Sequence, residues 1–342
     1  MCVYIGLDLS RKRLDWLACR ADGTLVDAGA VPPDLDGLAR LVRRLGDADV
    51  LAVLEAMNGA RFLHDQLELA GWDVRIADPQ RARALAPLAC KTDRIDAGVL
   101  AELARRDLVP EVWLPDPDVR AERERARFRL HLVKHRTMLK NRIHQTLITH
   151  GYARPSGDPF SRKSRVRLEH LQLPEPWQGT LQASLALIET LDQQIDELER
   201  ELQTLGADHP YVPLLRTVPG IAWVLAYTIA AEIGDIGRFA NPRKLIGYTG
   251  LCPRVYQSGE YDRRGALAKN GPAYLRWALI EAAHHAVRQP PYNELAERIR
   301  GRHPRHRAPK IAAVTIARKL TEAIWWMLTR NQPFAPAGAQ GV

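Results

Sequence analysis

Over the first 115 residues, apolar positions fall in short runs separated by turn residues and by segments of helical period. The runs at 3–9, 14–20 and 24–31 read as strands, with Ala21-Asp22-Gly23 as the turn between the second and third. An amphipathic helix is expected near 34–46. It is followed by a buried run, Val50-Leu51-Ala52-Val53-Leu54, that ends at Glu55. A helix near 61–70, a strand near 73–77 and helical segments at 79–88 and 93–106 complete this part. The last of these gathers Ile95, Val99, Leu100 and Leu103 on one face. Pro110, Pro115 and Pro117 punctuate the end of the region, which is taken as residues 1–118.

From Arg120 to His150 the period becomes that of a long basic helix with an apolar stripe at Leu132, Leu139, Ile143 and Leu147. Residues 151–180 are rich in proline and glycine, so 119–180 reads as a basic helix and connector. A heptad follows over 181–207. Its a positions are Leu181, Ile188, Ile195 and Leu202, and its d positions are Ser184, Leu191, Leu198 and Leu205. Seven apolar residues at eight seam positions predict a coiled coil, with an amphipathic core helix as the alternative. The acids and glutamines from Glu189 to Glu201 favour a solvent-facing coil that pairs chains. Residues 208–330 read as a mostly helical domain, in which Val218-Pro219-Gly220-Ile221 before an apolar helix resembles a helix-hairpin-helix turn. Residues 331–342 read as a flexible tail.

Charge changes this picture. The formal net charge is +9 and the isoelectric point about 9.6, which suits a polyanionic partner. Residues 119–170 hold fourteen Lys or Arg against four acids, a net of +10, and Arg298–Lys319 adds eight basic residues and no acid. On the basic helix, Arg123, Arg127, Lys134, Lys140 and Arg142 are candidates for phosphate contact. His131 and His135 have zinc-compatible spacing but no third ligand among the surrounding cations. The four cysteines are scattered, which points to reduced thiols. With charges at Asp8, Arg11, Lys12 and Arg13 no signal peptide is expected, and the longest apolar run, Ile221 to Ala231, is too short to span a membrane. A soluble, cytoplasmic, nucleoid-associated protein is expected.

Four acids carry the candidate chemistry. Asp8 closes the first apolar run, Glu55 closes the fourth, and Asp93 and Asp96 sit three apart in the first turn of a helix that Thr92 can cap. Hard oxygen ligands at the ends of two strands and on a nearby helix suit a pair of Mg²⁺ ions acting on a phosphodiester. Solvated surface carboxylates are the plain alternative. The order βββαβαβα, with acids on strands one and four, is that of a ribonuclease H-like domain. An actin-like ATPase or sugar kinase opens with a similar strand, but Ser10-Arg11-Lys12-Arg13 stands where its Gly/Thr phosphate loop belongs. A second constellation runs from Tyr256 through Ser258-Gly259 to Arg263, Arg264 and Gly265, followed by Lys269, Gly271 and Arg276. It reads as a loop in which a serine faces a phosphate held by arginines, or simply as a turn.

These motifs together resemble the DEDD transposases of bacterial insertion sequences in the insertion-sequence one-ten group. The resemblance rests on Ile5-Gly6-Leu7-Asp8 with Lys12, Leu54-Glu55-Ala56 and Lys91-Thr92-Asp93-Arg94-Ile95-Asp96-Ala97. In the second half it rests on Thr217-Val218-Pro219-Gly220-Ile221, Tyr248-Thr249-Gly250-Leu251-Cys252-Pro253 and the Ser258 loop leading to Tyr274-Leu275-Arg276. It implies a RuvC-like N-terminal domain that binds Mg²⁺ through Asp8, Glu55, Asp93 and Asp96. It also implies a C-terminal transposase domain with Ser258 as nucleophile. DNA would be the substrate and an element-encoded bridge RNA the guide. A dimer to tetramer would assemble through the coiled coil, with one subunit's acids facing another's serine. Met57-Asn58-Gly59-Ala60-Arg61-Phe62 departs from the glycine-rich run with an aromatic that relatives carry after the glutamate. The alternative function is a RuvC-like, Mg²⁺-dependent, structure-specific DNA endonuclease that forms no covalent intermediate.

Overall fold

Along β1 (Cys2–Leu9), Val3, Ile5, Leu7 and Leu9 turn to one face of a sheet, while Cys2, Tyr4, Gly6 and Asp8 turn to the other. The computed structural model describes residues 2–85, 93–152, 159–258 and 261–335, without the side chains of Asp93, Arg94, Arg162, Lys163 and Arg264. The chain divides into two units, Met1–Leu114 and Pro115–Val342.

In the first unit, β1 pairs antiparallel with β2 (Leu14–Cys19), and β2 pairs antiparallel with β3 (Leu25–Val31). Helix α1 (Leu35–Leu45) starts at Asp34, whose side chain accepts a 2.8 Å bond from the Gly37 N–H. It leads to β4 (Asp49–Glu55), which lies parallel to β1; after α2 (Ala60–Leu69), β5 (Asp73–Ala77) lies parallel to β4. The sheet order is therefore β3-β2-β1-β4-β5, a mixed sheet as the ribonuclease H-like reading expects. Leu38, Leu41, Leu63 and Leu67 from α1 and α2 cover the face that carries Ile5, Leu7, Trp16 and Leu54. After α3 (Pro79–Leu85), α4 (Asp93–Arg105) covers the opposite face.

The buried side of α4 is its alanine side. Ala97, Leu100, Ala101 and Ala104 are buried, whereas Ile95, expected on the apolar face, is exposed. Gly6 explains the choice: a methyl group there would come within 1.8 Å of the Ala97 carbonyl oxygen, so helix and strand meet backbone to backbone. Only small residues on the helix allow that approach.

In the second unit, α5 (Pro117–Thr149) and α7 (Trp177–Ala207) form a hairpin of long helices, with α6 (Arg162–Glu169) inside the connection. The connector was expected to be irregular; Ser161 caps α6 by accepting from the Ser164 N–H. The heptad corrects a larger expectation. Leu181, Ile188, Ile195 and Leu202 are buried as expected of a seam, but the helix they meet is α5 of the same chain. The acids of α7 face the arginines of α5: Arg125 with Glu201 at 2.9 Å, Arg136 with Asp192 at 2.6 Å, and Arg129 with Glu199. The falling numbers of one partner against the rising numbers of the other make the pair antiparallel.

Next come α8 (Val212–Leu215) and α9 (Trp223–Ile233), the latter mostly apolar and almost wholly buried, with Glu232 as its one charged residue. The turn between them closes with the Ile221 N–H on the Val218 carbonyl. After α10 (Pro242–Thr249), the expected loop is an antiparallel ribbon of β6 (Pro253–Ser258) and β7 (Tyr261–Leu267). Then α11 (Ala273–Ala286), α12 (Tyr292–Arg302) and α13 (Ala308–Arg330) close the unit around α9. Residues 119–330, expected as a connector, a coiled coil and a C-terminal domain, thus fold within one unit.

Candidate active site

The register from Cys2 with Asp49 to Leu7 with Leu54 ends one step short of Asp8 and Glu55. These two acids therefore stand side by side at the carboxyl ends of neighbouring parallel strands, about 5 Å apart across the sheet. Both project to the face that α4 covers, since Asp8 alternates with Gly6 and Tyr4, and Glu55 alternates with Val53 and Leu51. Both are half-buried.

The direction of α4 fixes the third acid. Leu100 and Ala104 pack with Cys2 and Tyr4 at the start of β1, and Arg105 donates to the Ala21 carbonyl at 3.0 Å beyond the end of β2. Ala97 lies over Gly6. The helix therefore runs opposite to β1, and its first turn, with half-buried Asp96, lies toward Asp8. The backbone of Asp93 lies in the same turn; its side chain, and the cap expected of Thr92, fall outside the described residues.

Asp15 is an acid that the sequence reading missed. It pairs with Asp8 across β1 and β2, and Leu17, two residues on, touches Gly98 of α4, so Asp15 shares the face of Asp8. It is buried, and Arg13 binds it through two bonds of 2.8 and 2.7 Å. The signal was an acid at an inward position of the Leu14-Asp15-Trp16-Leu17 strand. Asp15, Asp8 and Glu55 thus form a row across three strands beneath α4.

In the second unit, Ser258 is the last residue of β6, exposed and in register with Tyr261. Tyr256 pairs with Arg263, and the two-residue period sets Ser258, Tyr261, Tyr256 and Arg263 on one face of the ribbon. Arg264 pairs with Val255 in register, and its side chain is outside the described residues, as are Gly259 and Glu260. At the base of the ribbon, backbones interlock: a methyl group on Gly250 would come within 2.1 Å of the Asn270 carbonyl oxygen, and one on Gly271 within 1.9 Å of the Tyr248 carbonyl oxygen. Both glycines have positive φ, 68° and 83°. Lys269 is exposed in this turn, while the half-buried Arg276 donates to the Thr249 carbonyl at 3.2 Å.

With this geometry in view, comparison with known proteins decides the family. A model described as "Transposase IS116/IS110/IS902 family" matches residues 212–298, and a DEDD model described as "Transposase" matches residues 5–150. The transposase for insertion sequence element IS1328 of Yersinia enterocolitica is 28% identical, over 83% of this chain and 85% of the relative. The transposase for insertion sequence element IS1111A of Coxiella burnetii is 26% identical, over 82% and 78% respectively. The chain belongs to the IS110 family of DEDD transposases. A pilin gene-inverting protein of Moraxella bovis, 26% identical over 71% of this chain and 68% of its own, is a further relative.

The protein is thus a DNA transposase, which alters the reading of its basic helix. Arg123, expected to contact nucleic acid, is buried and donates to the carbonyls of Ala231 and Glu232 at 2.8 and 2.7 Å. Arg127 binds the carboxylate of the wholly buried Glu232 through bonds of 2.7 and 2.9 Å, and that hydrogen-bonded carboxylate pushes its guanidinium above the usual range. These two arginines fasten α5 to α9 and so leave the candidate nucleic-acid face. Lys134 and Arg142 remain exposed, and Lys140 lies 4.9 Å over the Phe160 ring.

Asp8, Glu55 and Asp96 place carboxylate oxygens, the hard ligands that divalent cations take, toward one end of the sheet. Among the described residues, no three of His, Cys, Asp and Glu stand close enough to hold an ion as they are placed. The side chain of Asp93 is not among them. No helix among the described residues is long and apolar enough to cross a membrane.

Proposed function

We propose that this transposase recombines DNA by serine attack assisted by a divalent-metal carboxylate site. Asp8, Glu55, Asp93 and Asp96 would hold two Mg²⁺ ions, which neutralise charge on the phosphate when bound. The observation that carries the reading is the adjacency of Asp8 and Glu55 at two strand ends beneath the first turn of α4.

Ser258 is the proposed nucleophile. Its Oγ forms a bond to phosphorus as one P–O bond to deoxyribose breaks; the serine proton leaves to a base and the departing sugar oxygen takes one up. The covalent link keeps a phosphodiester, so rejoining needs no external energy source. An exposed serine at the tip of a ribbon, with Arg263 on its face, fits attack on a duplex. Arg263, Arg264 and Lys269 are proposed to hold the phosphate, and Arg276 to support the turn beneath them. The relative named as a gene-inverting protein supports site-specific strand exchange as the outcome. A guide RNA encoded by the element would pair with donor and target DNA, and a dimer to tetramer would bring acids of one subunit to the serine of another.

The test is recombination between two marked element ends in the presence of Mg²⁺. Asp8→Asn and Asp96→Asn lose recombination and keep the native circular dichroism spectrum; normal recombination by either ends the metal reading. Ser258→Ala forms no protein–DNA adduct on denaturing gels. An adduct that persists moves the nucleophile elsewhere, and metal-dependent cleavage by Ser258→Ala favours the endonuclease.

A further inference from the structure

The exposed cations at the end of the chain are not used by the site described above. All eight basic residues from Arg298 to Lys319 are exposed, and no acid interrupts them. Along α13, Arg318, Glu322, Trp326 and Arg330 recur every four residues, so they wind as one ridge along the exposed side of the helix. Trp326 is 42% exposed, and the guanidinium of Arg330 lies 4.2 Å from its ring centroid. Beside it opens a cleft of about 400 Å³ lined by Tyr292, Lys319, Trp326, Arg330 and Phe334. A second cleft, of about 480 Å³, lies along the ridge between α10 and α13, lined by Arg243 and Arg318. Glu322 borders both clefts and is held by Lys319 at 2.9 Å.

We infer that the outer face of α13, from the Trp326 cleft to the cleft lined by Arg243 and Arg318, binds a single-stranded stretch of DNA, with a base stacked in the Trp326 cleft and the backbone along the cations. Charge and shape choose this occupant. A row of cations with one acid matches a polyanion, while an exposed tryptophan beside an open cleft matches the flat face of an unpaired base. Duplex DNA offers no free base face to such a cleft. The ridge from Arg318 to Arg330 is about 18 Å long, enough for about three nucleotides. DNA is chosen over RNA because DNA is what a transposase opens. The inference rests on the transposase reading, but not on the metal site or on Ser258.

Filter binding of the full chain to a fifteen-nucleotide oligothymidine, the matching oligouridine and a duplex of equal length tests it. Trp326→Ala is expected to weaken oligothymidine binding about tenfold, Trp326→Tyr to keep it, and the duplex to be bound as before. The pair Arg243→Glu and Arg318→Glu is expected to weaken binding and flatten its salt dependence. An equal loss for duplex and single strand, unchanged oligothymidine binding in all variants, or tighter binding of oligouridine overturns the inference. Ser258→Ala and Asp8→Asn bind oligothymidine normally in this assay, so a failure here and a failure of the catalytic reading are told apart.

Discussion

The absence of a side chain at position 6 lets the carbonyl of Ala97 approach β1, and that approach carries the first turn of α4 toward Asp8. Gly6→Ala overpacks a backbone-to-backbone contact and is expected to destabilise the first unit by about 3 kcal/mol, read as a lower denaturation midpoint. A milder test concerns Glu102, which Arg105 and Arg106 hold at a pKa of about 2 through hydrogen bonds. Because the folded value lies below the ordinary 4.5, the stability it adds is present above that value and is lost as pH falls toward about 2. The carboxylate is 42% exposed and screened by solvent, so its contribution stays under about 1 kcal/mol. Glu102→Gln should therefore differ from the native chain in urea midpoint at about pH 6 and match it near the folded pKa. At this scale, Asp8 and Glu55 were legible because an acid that ends an apolar run stands out. Asp15 was not, since an acid inside a strand looks like an edge residue until its neighbour across the sheet is known.

Elements were legible wherever period alone specifies them: the five strands of the first unit and α1, α2, α4 and α5 fall within a few residues of their expected bounds. What period cannot supply is the partner. The heptad of α7 specifies a buried seam but not whose helix fills it, and α5 fills it because its arginines meet the acids of α7 in antiparallel order. The β6–β7 ribbon was missed for another reason: its residues are exposed on both faces, so no alternation marks it. Arg127 and Glu232 give this scale its prediction. Arg127→Met leaves a carboxylate buried without its cation and is expected to cost about 3–5 kcal/mol. Adding Glu232→Leu should restore most of the loss, which thermal melts of the single and double variants measure.

At the scale of the whole molecule, the two units have separate cores, one on the sheet and one around α9. Scanning calorimetry should resolve two heat-absorption transitions, with Gly6→Ala lowering only one of them; a single transition that moves as a whole would show that the cores melt together. The charge excess read from composition points to the nucleic acid that a transposase handles, and the fold sorts the two basic stretches that carry it. Much of the basic helix is neutralised by α7 and α9 once folded, whereas the cations from Arg298 to Lys319 stay outward.

The ribbon that ends in Ser258 extends about 20 Å from its footing. Its anchorage lies in the locked backbones at Gly250 and Gly271, and its outer residues touch little of the helical body. Residues at the far end can therefore be exchanged with little harm to folding, while a side chain on either footing glycine would collide with backbone. On the proposed reading, in which Ser258 attacks DNA, a lineage of such enzymes has room to retune where its hydroxyl is presented, by exchanging tip residues on an arm whose shoulder is fixed.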